Sequence, residues 1–248
     1  MPATPIVLLH PFPLDARAWD GVVARLPRDR PVWTPEFPGF GRAAAEEPDG
    51  IDGFADGLAE RIAREVPAGR AVVAGVSMGG YAALSLAARH PGRVAALALV
   101  DTRAEPDDDD GRRAREEGAR RVRGGGVAAF LDGFLPRLVA PGDDAALGRA
   151  REIALAQSPE AVARALLALA ARGDRRPDLA AIDVPAVVLV GEHDAVTPPP
   201  VAEALAAGLP RAELRVIPGA GHLTPLEAPE AVAAAISDLL GRVEPPPR

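Results

Sequence analysis

Six short runs of almost unbroken apolar, often β-branched residues recur along this chain: IVLLH at 6–10, PVWTPEF at 31–37, AVVAGVS at 71–77, RVAALALVD at 93–101, PAVVLVG at 185–191 and AELRVIPG at 212–219. A strand with one wet face alternates apolar and polar residues. These runs are instead nearly continuous in apolar residues, which is how the strands of a parallel sheet buried on both faces read. Helical periodicity fills most of the gaps, at roughly 52–65, 79–90, 198–208 and 228–241. Strand and helix in alternation predict an α/β fold: a mostly parallel sheet flanked by crossover helices.

The alternation breaks once. Residues 103–180 contain no convincing strand and instead carry helical patterns near 111–123, 126–138, 143–157 and 159–172. The expected organisation is therefore a core of residues 1–102 and 181–248 with an inserted helical cap over 103–180. The cap opens with DDDDGRRAREEGARR, which reads as a solvated loop and helix face; it lacks the spaced ligands of a calcium loop. The tail EPPPR reads as frayed, because its prolines cannot continue a helix.

A serine at the end of the third run raises the question of chemistry. In VAGVSMGGYA, Ser77 lies between Gly75 and Gly79. Gly-x-Ser-x-Gly is weak evidence alone, since any small residue suits a tight turn. Here it follows an apolar strand and opens a helix. That context allows a strained turn that lifts the serine hydroxyl above the sheet's carboxyl edge, with the helix N-terminus behind it. A serine hydroxyl needs a base to take its proton. His222, in the glycine-rich GAGHLTPLEAP after the last strand, suits that role. His193, in GEHDAVTP, competes with it. His90 ends a helix in ARHPG and reads as a partner of the helix dipole. His10 ends the first strand and reads as a loop-shaping hydrogen-bond donor. The base in turn needs a carboxylate: Asp194 follows the fifth strand, and Asp101 follows the fourth.

An oxyanion formed at Ser77 needs two N–H donors. The first is Met78, the residue after the nucleophile. The second should come from the loop after the first strand, HPFPLDARAW. Pro11 and Pro13 carry no N–H, which leaves Phe12 in the middle of that loop. In the cap, VAAFLDGFLPRLV sets Phe130, Phe134, Leu135 and Leu138 at helical spacing. Such a stripe packs the cap onto the core or lines an apolar acyl pocket, and one helix can do both.

Composition narrows the partners. A net charge of −7, with every one of the 28 basic residues an arginine, argues against nucleic acid, which needs a basic surface. With no cysteine, the chain has no disulfide framework and no thiolate nucleophile. No apolar run is long enough for a membrane span, and the N-terminus lacks a basic leader. The expectation is a soluble, cytoplasmic protein that binds neither membrane nor nucleic acid.

The segments LLHPFPLD, FPGFGRA, GVSMGGYAA, VGEHDAVTP and GAGHLTPLEAPE together resemble the α/β-hydrolase superfamily over the whole core. The first loop departs from the family's usual His-Gly, with Pro11 following His10. The resemblance implies a catalytic triad of Ser77, Asp194 and His222, oxyanion donors at Phe12 and Met78, and no metal or organic cofactor. It implies hydrolysis of a small-molecule ester or lactone through an acyl-enzyme; the substrate contacts expected from the first loop and the cap stripe are Phe12, Phe130, Phe134 and Leu138. Branches with an aspartate or cysteine nucleophile do not match Ser77. What remains looks like carboxylesterases, 3-oxoadipate enol-lactonase-like enzymes and cofactor-free perhydrolases. A ligand receptor or scaffold of the same fold is the non-enzymatic alternative.

Overall fold

The structure is a computed structural model that describes residues 3–44 and 50–243. The tail EPPPR lies outside the described residues. Six strands form one wholly parallel sheet in the order β2-β1-β3-β4-β5-β6. They are β1 (Ile6–Leu9), β2 (Val32–Trp33), β3 (Ala71–Val76), β4 (Val94–Val100), β5 (Ala186–Gly191) and β6 (Ala212–Ile217). Strands β1, β3, β4 and β5 are buried at every position, which is why they show no alternation. Helices α2 (Gly50–Glu65), α3 (Met78–Arg89) and α7 (Pro199–Gly208) cover one face, and α1 (Asp20–Val23) and α9 (Pro229–Val243) cover the other.

The second strand is much shorter than its sequence run suggests. Only Val32 and Trp33 pair with β1. Pro35 has no N–H to give a ladder, and the chain then leaves the sheet, so that the Phe37 amide donates to His10 Nε2 at 3.0 Å.

Between β4 and β5 the chain forms a helical insertion, with α4 (Asp109–Phe134), α5 (Asp144–Leu155) and α6 (Pro159–Ala170). Each start is capped by a short polar side chain: Asp108 accepts from the Gly111 amide, Asp143 from Ala146 and Ser158 from Ala161. Two expected helices, 111–123 and 126–138, are one run bent at Gly126, whose φ of 80° and ψ of 172° are not helical. That run stops at Phe134, short of 138, because Pro136 cannot continue it; a single 3₁₀ turn follows. The acidic opening also departs from expectation. Asp107 is not solvated: it bonds Arg172 at 2.7 Å and Arg115 at 3.2 Å, and the Arg172 side chain is only 3% exposed. Arg172 also stacks on the Tyr81 ring. No cluster of metal-ligating side chains occurs among the described residues, and no single described helix is long and apolar enough to cross a membrane.

Candidate active site

Ser77 occupies the turn between β3 and α3 with φ 50° and ψ −110°. A non-glycine residue there carries strain of about 1–3 kcal/mol. Its surroundings hold it in place. The Ser77 amide donates to the Val100 carbonyl at 2.9 Å. Its carbonyl accepts from Thr102 Oγ1 and from the Tyr81 amide. The flanking glycines are required by contact. A Cβ on Gly75 would lie 2.2 Å from the Gly79 carbonyl oxygen, and one on Gly79 would lie 2.1 Å from that of Leu9. Strand and helix meet backbone to backbone, so the serine projects at the sheet's carboxyl edge.

His222 and Asp194 meet at the same edge from two other loops. His222 Nδ1 lies 2.8 Å from Asp194 Oδ2, and both side chains are buried. Thr197, a residue the sequence reading passed over, joins them: its Oγ1 donates to Asp194 Oδ2 at 2.7 Å and lies 3.2 Å from His222 Nδ1. The Val196 and Thr197 amides donate to Asp194 Oδ1. Burial works against ionisation of Asp194. The bond and charge of His222 and the Thr197 donors outweigh it and hold this carboxyl below its ordinary range. An ionised Asp194 accepts a hydrogen bond from Nδ1–H, which leaves Nε2 unprotonated and free to act as a base.

Asp101, the other candidate acid, is fully buried after β4 but does not bond the His222 ring. It accepts from the Gly191 amide at 3.1 Å and from the amide and hydroxyl of Thr224 at 3.1 and 2.8 Å. Burial, reinforced by the nearby Asp194, pushes its carboxyl well above the ordinary range. His193 is exposed and lies outside the cavity. His90 closes α3 and in addition pairs with Asp56 on the surface. His10 Nε2 accepts from the Phe37 amide, so Nδ1 carries the proton and donates to the Pro11 carbonyl at 3.1 Å.

A cavity of about 300 Å³ opens above this edge. Ser77 and His222 line it from the core. Phe12, Phe130, Phe134 and Leu138, the expected substrate contacts, line it as well, together with Arg115 and Arg137. Leu135, on the same stripe, turns into the core instead. Phe130 stacks on Phe134 at 5.0 Å, and Phe12 meets Phe134 edge-on at 5.7 Å. The amides of Phe12 and Met78 have no protein acceptor among the described residues, which leaves both N–H groups available to a ligand oxygen. Ser77 Oγ and the His222 ring line the same cavity without a direct hydrogen bond between them.

The family described as the alpha/beta hydrolase fold matches residues 4–229. The chain belongs to that family. This α/β-hydrolase is 35% identical to the pimeloyl-[acyl-carrier protein] methyl ester esterase of Neisseria meningitidis serogroup B (strain MC58) over 246 residues, covering 95% of this chain and 92% of that protein. It superposes on a thermophilic esterase from Thermogutta terrifontis, solved with malate bound, with a TM-score of 0.91 and 35% identity; 98% of this chain and 91% of the other are covered. An enol-lactonase from Burkholderia xenovorans LB400 is similar with a TM-score of 0.86 and 28% identity, over 96% and 92% of the two chains. This α/β-hydrolase is thus a carboxylic ester hydrolase, and the receptor alternative gives way to an enzyme.

Proposed function

We propose that the enzyme cleaves a carboxylic ester of small to medium chain length through an acyl-enzyme on Ser77. The observation that carries this reading is the buried His222–Asp194 pair beside a strained serine in one cavity. His222 Nε2 takes the Ser77 proton as Oγ attacks the ester carbonyl. The negative charge that develops on the carbonyl oxygen is met by the Phe12 and Met78 amides. The imidazolium, stabilised by Asp194, then protonates the leaving alkoxide. Water enters, gives its proton to His222, and attacks the acyl carbon; the carboxylic acid leaves and Ser77 regains its proton. Every step is a proton transfer or an acyl transfer, and none calls for a metal or an organic cofactor.

The three phenylalanines support an apolar acyl chain beside Ser77. A second reading, that the far end of the substrate is anionic, is favoured by Arg115 and Arg137 in the cavity wall. Asp107 is shared between Arg115 and Arg172, and Arg137 has no ion-pair partner among the described residues. The esterase solved with malate bound is consistent with such a substrate, and the pimeloyl-[acyl-carrier protein] methyl ester esterase makes a methyl ester a candidate bond to cleave. The enol-lactonase keeps a lactone substrate in view.

The test is Ser77→Ala, assayed on neutral methyl esters, monomethyl esters of diacids, simple lactones and a fluorophosphonate probe. The variant should fold normally, lose turnover by about 10⁶ in kcat and take no label. Turnover retained by a folded Ser77→Ala protein would refute the acyl-enzyme on Ser77. Among the substrates of the active protein, a higher kcat/KM for the diacid monoesters than for neutral esters of equal length supports the anionic reading.

A further inference from the structure

The loop that carries His222 is held at each of its backbone amides. Gly221 donates to Glu227 Oε1 at 2.9 Å, His222 to the Leu138 carbonyl at 3.0 Å, Leu223 to Glu227 Oε2 at 3.0 Å and Thr224 to Asp101 Oδ2 at 3.1 Å. Glu227, at the end of a one-turn helix, α8 (Thr224–Glu227), therefore grips the residues on both sides of the histidine. It also reaches outside the loop, since the Ala140 amide donates to Oε1 at 2.6 Å.

Residues 138–140 follow the helix that carries Phe130 and Phe134, and Leu138 lines the cavity. They lie against the histidine loop so closely that a Cβ on Gly221 would stand 2.5 Å from the Ala140 nitrogen and 2.6 Å from the Val139 carbonyl carbon. Among the described residues no arginine or histidine pairs with Glu227. Its ligands are three peptide N–H groups, which fix position more than they neutralise charge. Burial raises its carboxyl above the ordinary range against the pull of those amides, and Asp143 adds to the rise.

We infer that Glu227 is a positioning residue for ester hydrolysis: it sets the height of His222 above Ser77 and takes that setting from the docked segment 138–140 of the helical insertion. The inference rests on His222 being the base that serves Ser77. A general base displaced by about 1 Å loses on the order of 10² in rate, and the arrangement makes the wall of the substrate cavity and the base move as one piece. The loss should then fall on kcat. Of the cavity-lining residues expected against the substrate, Phe12, Phe130 and Phe134 make no hydrogen bond to Glu227, and Leu138 is tied to it only through the nearby Ala140 amide, so KM should change far less than kcat.

Two substitutions grade the effect. Glu227→Gln keeps an oxygen for Ala140 and Gly221 but sets an amide donor against the Leu223 N–H. It should lower kcat by about tenfold, at near-normal melting temperature. Glu227→Ala removes both acceptor oxygens from all three amides and should lower kcat by about 10² per folded molecule, with fluorophosphonate labelling of Ser77 slowed in parallel. If either folded variant turns over ester with wild-type kcat, and only its melting temperature falls, Glu227 is a structural staple and the inference is wrong. Ser77→Ala run alongside separates the two ideas. Turnover surviving Ser77→Ala overturns the acyl-enzyme, whereas wild-type kcat in the Glu227 variants overturns only the positioning role.

Discussion

The two buried aspartates of the site differ in what they touch. Asp194 is bonded to the His222 ring, and Asp101 is bonded to backbone amides and a threonine hydroxyl. Asp194→Asn would present an amide N–H to His222 Nδ1 and impose the wrong tautomer, so kcat should fall by about 10⁴. Asp101→Asn leaves the ring and its partner in place. It should cost less than about tenfold in kcat and show mainly as a lower melting temperature. Steady-state kinetics on the two folded proteins decides. If Asp101→Asn is the crippling change, the acid that serves His222 is Asp101 instead. The chain order Ser77, Asp194, His222 favours Asp194, with Asp101 as the runner-up because it too follows a buried strand. What separates them is which carboxylate the histidine loop reaches.

At the level of elements, two glycines of the same type carry different constraints. Gly79 sits where α3 crosses β1, and an added methyl would strike the Leu9 carbonyl at 2.1 Å. Backbone cannot give way as a side chain can, so Gly79→Ala should destabilise by more than about 3 kcal/mol and disturb the turn at Ser77. Gly126 bends α4 in open space, with nothing within 4 Å of its added Cβ. Only its backbone angles resist a side chain, so Gly126→Ala should cost about 1–3 kcal/mol, with ester turnover retained. Denaturant melts of the two variants test the order, and a Gly126→Ala protein less stable than Gly79→Ala would reverse it. The glycine positions were legible in the sequence. Their different costs were not, because the neighbours that set them come from other elements.

For the whole molecule, the stability of the packed first loop depends on pH through His10. Burial holds this imidazole down at about 4, from an ordinary 6.5, against the Pro11 carbonyl and the charges of Asp15 and Glu36. The folded state binds the proton less readily than the unfolded chain does. The stability tied to neutral His10 is thus fully present above about pH 6.5 and is lost as pH falls towards 4. The loss amounts to about 3 kcal/mol. Asp101 acts in the opposite direction: its raised carboxyl takes up a proton early in the folded state and gains stability as pH falls. The difference between wild type and His10→Gln isolates the histidine, since Gln can still accept from Phe37 and donate to Pro11. Urea melts between pH 7 and 4 should show a shallower decline for the variant. Parallel declines would remove His10 from the acid response.

Sequence alone determined the parallel sheet, the helical insertion after β4, the strained turn at Ser77 and the set of side chains from which a triad could be drawn. Those are properties of local pattern, because burial on both faces writes an unbroken apolar run and a tight turn demands glycine at fixed offsets. Tertiary structure decided the rest. It cut the run at 31–37 to two paired residues, buried Asp107 against Arg172, brought Asp194 and Thr197 to His222, and clasped the histidine loop with Glu227. Each of these joins groups whose nearness no local periodicity records: 65 residues separate Asp107 from Arg172, and 87 separate Ala140 from Glu227. Their meeting follows only once the sheet order has brought the loop ends together at one edge.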